Sequence, residues 1–277
     1  MTTSERWLSA LEARHFSDLT FQEVARSLRA LSATYVERRE RIREGAALAG
    51  AGKRAAFAVF YGPLHYLLVR EIVHALPGAI GDPERVAPHS AGGPHSAGGP
   101  HSAGGAALSG PPTLIDLGCG TGAAGAAWAE ACGSRPQVIG VDRHPWTLTE
   151  AAHTYRDFGL RARTMRADAA TVALPKSPAM ILAAFTVNEL SDEGRAALLP
   201  RLVERASRGD RVLIVEPLAR SATRWWTAWE QAFRAAGGRA DEWRFKVDLP
   251  PLVAKLDRAA GLNHRELTGR SLYLRQA

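Results

Sequence analysis

The most constraining feature of the sequence is a glycine-rich segment that directly follows a short apolar strand. Residues 113–122 read TLIDLGCGTG, so the strand carries one acid and runs into a turn with glycine at positions 118, 120 and 122. Glycine readily adopts positive φ angles and lets a ligand approach the backbone without a Cβ in the way. A helix that begins at Ala123 points its free N–H groups at the same space. We therefore predict a backbone cradle for a nucleoside cofactor.

Two classes of cofactor use such a cradle. Gly118, Gly120 and Ala123 also satisfy the loose dinucleotide pattern G-x-G-x-x-G/A, so an NAD(P) enzyme is one interpretation. Asp116 lies two positions before the first glycine, where a pyrophosphate gains nothing from a negative charge. S-adenosylmethionine carries a sulfonium and an ammonium group, so a carboxylate can help to hold its methionine part by a charge-assisted hydrogen bond. Asp116 thus favours S-adenosylmethionine over a dinucleotide.

Segment 113–122 resembles the first motif of class I S-adenosylmethionine-dependent methyltransferases, an acid followed by G-x-G-x-G. Asp142 ends a second strand and is placed to bind the ribose hydroxyls, the alternative being a charge at the start of the next helix. The resemblance implies that Asp168, after a third strand, meets the adenine amino group, with a solvated loop aspartate as the alternative. The predicted cofactor-binding residues are Asp116, Gly118, Cys119, Gly120, Gly122, Asp142, Arg143, Asp168, Ala169 and Phe185.

Short apolar strands alternate with helical segments from residue 111 onward. This rhythm predicts an α/β fold with a doubly wound, mostly parallel sheet and a ligand crevice at the carboxyl ends of its strands. The resemblance implies the seven-stranded, Rossmann-like sheet of class I methyltransferases, together with the order of its last strands. The predicted strands after the first are 137–142, 161–166, 180–185, 211–215, 241–247 and 271–275, with a helix at 250–260.

The candidate catalytic residues are Asn188 and Glu189, which follow the fourth strand. The resemblance implies that this end of the strand lies beside the methyl group. No residue pattern dictates their role, because methyl transfer from a sulfonium depends mainly on holding the reactants in geometry. A base is needed only if the nucleophile must lose a proton.

The first 87 residues are predicted to form a helical extension that acts as a lid. Thr20 and Glu23 make a capping box, and apolar residues then recur at helical spacing. Gly62-Pro63 is expected to break one helix and start another. Tyr61 and His65 would lie close to the substrate, although ordinary helix packing explains them equally well.

Residues 88–110 are predicted to be a flexible linker between this extension and a cofactor-binding domain at 111–277. Three successive copies of PHSAGG fill 88–105 and present no apolar face. Their histidines would have to order at considerable entropic cost to bind an ion, so no metal site is expected. The two cysteines, Cys119 and Cys132, exclude a disulfide framework and a C-x-x-C pair.

The formal net charge of +7 favours an anionic partner such as RNA. The order of DLGCGTG, then NEL, then VEP also resembles the methyltransferase-like proteins of the small ribosomal subunit of mitochondria and bacteria. The leading hypothesis is therefore a methyltransferase that acts on RNA or a ribosome-associated target. The alternatives are a small-molecule methyltransferase, a catalytically inactive cofactor-binding assembly factor and an NAD(P) oxidoreductase.

An aromatic stripe follows the fifth strand at Trp225, Trp226, Trp229 and Phe233. These rings are predicted to lie in the core, at the seam between sheet and helical extension, with base stacking as the alternative. No run of 18 apolar residues or signal peptide occurs, so we expect a cytoplasmic protein without a membrane partner.

Overall fold

The computed structural model describes residues 1–37, 48–80, 112–218 and 225–275. The predicted linker at 88–110, with its histidines, lies outside the described residues. Within the described ranges, no group of three or more His, Cys, Asp or Glu side chains is arranged to hold a metal ion.

A seven-stranded sheet forms the centre of the fold. Its strands are β1 Thr113–Leu117, β2 Gln137–Asp142, β3 Ala162–Arg166, β4 Ala179–Ala184, β5 Arg211–Glu216, β6 Arg239–Phe245 and β7 Leu267–Leu274. Their order is β3-β2-β1-β4-β5-β7-β6, and only β7 runs antiparallel to its neighbours. The strand order reverses between β1 and β4, so a crevice opens beside the glycine loop that follows β1. The predicted fold class is confirmed.

Helices cover both faces of the sheet. They are α1 Thr3–His15, α2 Phe21–Glu37, α3 Ala51–Ala56, α4 Gly62–Ala75, α5 Ala123–Ala131, α6 Pro145–Asp157, α7 Asp192–Ser207, α8 Trp226–Ala235 and α9 Pro251–Ala259. Successive strand residues alternate between two cores, because side chains along a strand point to opposite faces. Leu213 belongs to the core beneath the helical extension, whereas Ile214 belongs to the core beneath α7 and α8.

The N-terminal helices are present and share a core with one face of the sheet. The capping box is confirmed, since the Glu23 N–H donates to Thr20 Oγ1 at 3.3 Å and the Thr20 N–H donates to Glu23 Oε2 at 2.8 Å. Trp7 is 1% exposed and donates its indole N–H to Thr154 Oγ1 at 3.2 Å. Arg14 pairs with Glu150 on α6 at 2.9 Å. These contacts fix the extension to the sheet's own helices.

The expected break at Gly62-Pro63 does not occur. A π-helical turn, Phe57–Tyr61, joins α3 to α4, and the Gly62 N–H donates to the carbonyl of Phe57. Proline lacks an N–H and its ring crowds the carbonyl four residues earlier, so a wider turn before Pro63 lets the helix continue. The segment Ala51–Ala75 is long and apolar enough to cross a membrane, but 72% of its apolar window is buried inside the protein. Packing in the core accounts for its apolar composition.

The aromatic stripe lies in the core, as predicted, but at a different seam. Trp226, Trp229 and Phe233 are at most 5% exposed. They pack on the sheet face covered by α7 and α8, in a core to which no described residue of the helical extension belongs. The prediction of a seam with the extension is wrong, because β5 places α8 on the opposite face.

Candidate functional site

The glycine loop after β1 has the backbone conformation that the sequence predicts. Gly118, Gly120 and Gly122 have φ values of +66°, +52° and +77°. A Cβ at Gly118 would overlap the Thr186 side chain. Both this steric overlap and the positive φ angle therefore require glycine at position 118. Cys119 is 6% exposed and donates its backbone N–H to the Val141 carbonyl at 2.9 Å. The loop is therefore held against both neighbouring strands.

Asp116 lies behind this loop. Its side chain is 1% exposed, and its Oδ2 accepts a hydrogen bond from the Tyr155 hydroxyl at 3.1 Å. Burial raises the pKa of Asp116 to about 7, although bonds from Tyr155 and the Gly125 N–H favour the charged form. The carboxylate contacts the helix that follows the loop, and its action on the methionine part of a cofactor stays a prediction.

Asp142 ends β2 and fastens the loop from the other side. Its Oδ2 accepts from the Gly120 N–H at 3.0 Å, and its Oδ1 accepts from the His144 N–H at 2.8 Å. Each carboxylate oxygen can accept further bonds. Asp142 thus joins the glycine loop to the start of α6, at the position predicted to bind a ribose.

The predicted adenine end lies beyond β3. Asp168 Oδ1 accepts from the Ala170 N–H at 2.8 Å, which shapes the turn after the strand. Arg143 Nη1 lies 3.7 Å from Asp168 Oδ2, with both side chains substantially exposed. Ala169 is 7% exposed. The structure therefore places Arg143 beside Asp168, and the binding of adenine at this point stays a prediction.

Phe185 follows β4 in a left-handed conformation, with φ of +58°. This conformation is uncommon for a residue with a side chain and carries strain of about 1–3 kcal/mol. The Phe185 N–H donates to the Val215 carbonyl at 2.8 Å. The phenyl ring stacks on His65 of the helical extension, with centroids 3.9 Å apart and an interplanar angle of 15°. Strand and extension meet at this pair.

The extension also covers the glycine loop. A Cβ added at Gly120 of the loop would lie 3.7 Å from the Phe57 ring of the extension. A Cβ added at Gly62 of the extension would lie 3.1 Å from Thr121 Oγ1 of the loop. Rings of Phe57, Tyr61 and His65 lie within about 6 Å of one another. Burial lowers the pKa of His65 to about 3, so its imidazole is neutral at physiological pH. The extension forms an apolar, aromatic roof over the loop.

The candidate catalytic residues lie on a short 3₁₀ turn, Val187–Glu189. The Asn188 N–H donates to Glu216 Oε1 at 3.1 Å, and a further bond from the Val187 N–H reaches Glu216. Glu216 ends β5 and is fully buried. Glu216 therefore positions the backbone of the turn that carries the candidate catalytic residues.

Glu189 ends this turn. A substantial part of its side chain is exposed to solvent, but protein atoms lie around its carboxyl group. Desolvation raises the pKa of Glu189 to about 7, the charge of Asp142 raises it further, and Arg143 opposes the shift. A carboxyl group that titrates near neutral pH can take up a proton during turnover.

Sequence reasoning missed three residues of this site. Phe57 gave no signal beyond its place in an apolar helix, and Thr186 gave none either. Thr186 Oγ1 lies 2.9 Å from the Leu117 carbonyl, where it closes the space beside Gly118. Glu216 stands in the short motif VEP, an acid at the end of an apolar strand, which was a usable signal.

Comparison with known proteins decides the cofactor class. Residues 114–209 match the family described as a methyltransferase domain. This segment is a methyltransferase domain. It includes the glycine loop, Asp142, Asp168 and Glu189, and its cofactor is S-adenosylmethionine rather than a dinucleotide. The three left-handed glycines fit a loop whose backbone a nucleoside approaches closely.

Comparison with solved structures finds methyltransferases at low sequence identity, with TM-scores below 0.5. Mitomycin 7-O-methyltransferase MmcR is 14% identical, with 98% of this chain and 72% of that chain covered and a TM-score of 0.49. An S-adenosylmethionine-dependent methyltransferase from Aquifex aeolicus is 16% identical, with 76% and 97% covered and a TM-score of 0.39. An O-methyltransferase from Thermotoga maritima is 17% identical, with 60% of each chain covered and a TM-score of 0.41. No curated protein sequence matches the chain.

Proposed function

We propose that this methyltransferase methylates a hydroxyl group of a small aromatic molecule. The observation that carries the proposal is the roof of Phe57, Tyr61 and His65 over the glycine loop, joined to Phe185 by the His65 stack. Enclosed, mostly apolar sites with a few polar groups are typical of small-molecule binding. Aromatic rings on such walls favour an aromatic ligand, because they provide large contact area and preferred ring geometries.

The same roof argues against the hypothesis of an RNA acceptor. Recognition of a nucleic acid requires an accessible cationic surface and room for a chain of nucleotides. The four rings beside the cofactor loop are apolar or neutral, and His65 carries no charge at physiological pH. The net charge of +7 is the feature that keeps RNA as the second acceptor to test.

Glu189 is the proposed general base. S-adenosylmethionine supplies an electrophilic methyl group when bound. A hydroxyl nucleophile must lose its proton, and the Glu189 carboxylate, with its pKa near 7, accepts that proton at the working pH. Glu216 contributes by holding the backbone of the Val187–Glu189 turn that carries this carboxylate.

The residues that hold the cofactor are assigned by position. Asp142 would bind the ribose hydroxyls, and Asp168 with Ala169 would bind the adenine. The glycine loop at 118–122 would present its backbone to the cofactor, and Asp116 would lie behind it, ionised only in part near neutral pH. Phe185 and the roof exclude water from the methyl group.

Transfer of a tritiated methyl group tests this proposal. The protein and labelled S-adenosylmethionine are incubated with RNA, protein and low-molecular-weight fractions of an extract from the source organism. We expect label in the low-molecular-weight fraction, in a product that resists mild base hydrolysis as an ether does. The variant Glu189→Gln should lose most of this labelling, whereas Glu204→Gln on the exposed face of α7 should not.

The other outcomes each contradict the proposal in a different way. Label found only in RNA would establish the nucleic-acid acceptor instead. Label in ribosomal protein would favour the ribosome-associated target. Absence of label from every fraction, together with calorimetric binding of S-adenosylmethionine, would indicate a cofactor-binding assembly factor.

A further inference from the structure

A basic cavity lies at the edge of the sheet where the acceptor is expected. β7 runs antiparallel to β5, so the start of β7 meets the carboxyl ends of β5 and β6. The cavity carries two exposed cations against a single acid, and its histidine pairs with Asp257 on α9. Its lining residues are Lys246, Asn263, His264, Arg265, Glu266 and Thr268. Its local charge is therefore positive.

Arg270 lies on β7 behind the lining of this cavity, and its guanidinium is enclosed and has no hydrogen-bond partner on one edge. It follows the lining residue Thr268 by two positions, so the two side chains share a face of β7. Arg270 is 8% exposed, and its Nε and Nη2 atoms have no accessible surface and no hydrogen-bond partner. Among the described residues, no carboxylate oxygen lies within 4 Å of its guanidinium. An enclosed guanidinium without such a partner is costly.

None of the acids around Arg270 accepts a hydrogen bond from its Nε or Nη2 atom. Glu216 and Glu242 are its register partners on the two neighbouring strands, and Glu230 on α8 also acts on it from a distance. Burial raises the pKa of Glu216 to about 8, so this carboxyl group is largely protonated at neutral pH. The Glu216 Oε2 atom also has no hydrogen-bond partner. The charge of Arg270 is thus not neutralised by its nearest enclosed neighbour.

Two tryptophans complete the arrangement. The Arg270 guanidinium lies over the Trp226 ring, 4.3 Å from its centroid. A ring below the guanidinium plane does not engage the N–H groups at its edge, so these groups stay enclosed and without a partner. Trp225 packs against Trp226, and its indole Nε1 is a further buried donor without a partner. Nε and Nη2 of an arginine form a fork that matches the two oxygens of a carboxylate.

We propose that the methyl acceptor is an aromatic acid whose carboxylate enters through the basic cavity and binds the Nε and Nη2 edge of Arg270. This inference rests on the proposed small-molecule function and names its substrate class. Neighbouring strands lie about 4.8 Å apart, so Arg270 on β7 lies roughly 10 Å from the end of β4. The carboxylate therefore occupies the far end of the acceptor from the hydroxyl group at Glu189.

Arginine Nε–Hε signals in a ¹⁵N-labelled protein test the anion site without knowledge of the acceptor. The Arg270 signal is assigned by its loss in Arg270→Lys. Titration with benzoate should shift this signal saturably, whereas the neutral analogue benzamide should not. Lys246→Gln should weaken the benzoate effect, and Arg239→Gln at the opposite end of β6 serves as the matched control. An Arg270 signal that ignores benzoate, or that moves equally with benzamide, overturns the proposal.

The charge of the labelled product separates this inference from the proposed function. We expect a tritiated product that binds to an anion-exchange resin at neutral pH and whose formation falls at least tenfold in Arg270→Lys. This result supports both the proposed function and the aromatic acid as acceptor. A labelled small product that is uncharged contradicts the aromatic acid and leaves the proposed function standing. Inorganic phosphate in place of benzoate distinguishes a carboxylate from a phosphate group, and tighter binding of phosphate also contradicts the proposal.

Discussion

His65 on the helical extension stacks on Phe185 at the end of β4, with ring centroids 3.9 Å apart. One partner comes from the helix that roofs the site and the other from the strand that ends at the candidate catalytic turn. The stack therefore joins the extension to the strand that leads into the candidate catalytic turn. Phe185 also adopts a left-handed conformation, which only the surrounding contacts sustain.

The variant His65→Ala removes this stack. We expect kcat/KM for the acceptor to fall about tenfold, because an aromatic pair contributes about 0.5–1.5 kcal/mol beyond its buried area. The affinity for S-adenosylmethionine should change less, since His65 belongs to the roof. Steady-state kinetics and calorimetry measure the two effects. His65→Phe keeps a flat ring and should recover most of the activity, and a variant that stays impaired would argue for a role of the imidazole itself.

The variant Gly118→Ala should abolish cofactor binding. The position has φ of +66°, and a Cβ there would overlap the Thr186 side chain. We expect destabilisation by at least about 1 kcal/mol from the conformation alone. Calorimetry with S-adenosylmethionine and urea unfolding provide the measurements. Gly133→Ala is the control, because no atom lies within 4 Å of its added Cβ, and equal losses in both variants would contradict the assigned role.

The variant Glu189→Gln tests the general base. Its kcat should fall by about 10²–10⁴, while the dissociation constant of S-adenosylmethionine stays nearly constant. In the native protein kcat should rise with pH and level off above about pH 7, where the Glu189 carboxyl group is ionised. The glutamine variant should lose this dependence. A retained pH profile would assign the titration to another group.

The variant Glu216→Gln should change how stability depends on pH. Burial raises the pKa of Glu216 from 4.5 to about 8. A carboxyl group whose pKa is higher in the folded protein than in the unfolded chain stabilises the fold fully at a pH below its unfolded pKa. This stabilisation is lost as the pH rises through its folded pKa. Unfolding free energy should thus fall between pH 5 and pH 8, by at most about 1.4 kcal/mol per pH unit from this group. Urea unfolding should show a weaker decline in Glu216→Gln, and curves parallel to the native ones would contradict the assignment.

Much of the fold follows from local sequence patterns. β4 is buried along its whole length, as its continuous apolar run indicates. The glycine loop could be placed because its positive φ angles demand glycine, and Asp142 because it ends a strand at the expected distance. Helix α2 begins where its capping box predicts.

The remaining parts of the site depend on contacts between distant segments. Arg270 faces Glu216 only because β7 inserts between β5 and β6, which no local pattern in either strand specifies. The π-helical turn at Phe57–Tyr61 arises from the continuation of a helix through Pro63. The stripe at Trp226 and Trp229 could be read as core, but its face of the sheet is set by the path of the chain after β5.

The extension and one face of the sheet share a single apolar core, from Trp7 and Leu28 to Leu114 and Leu213. Removing the extension would expose the apolar residues of the sheet to water, and the reverse also holds. The roof therefore does not form a separate folding unit. A change of the proposed acceptor is therefore expected to come from single substitutions along Ala51–Ala75, because replacement of the whole extension would expose the apolar core of the sheet.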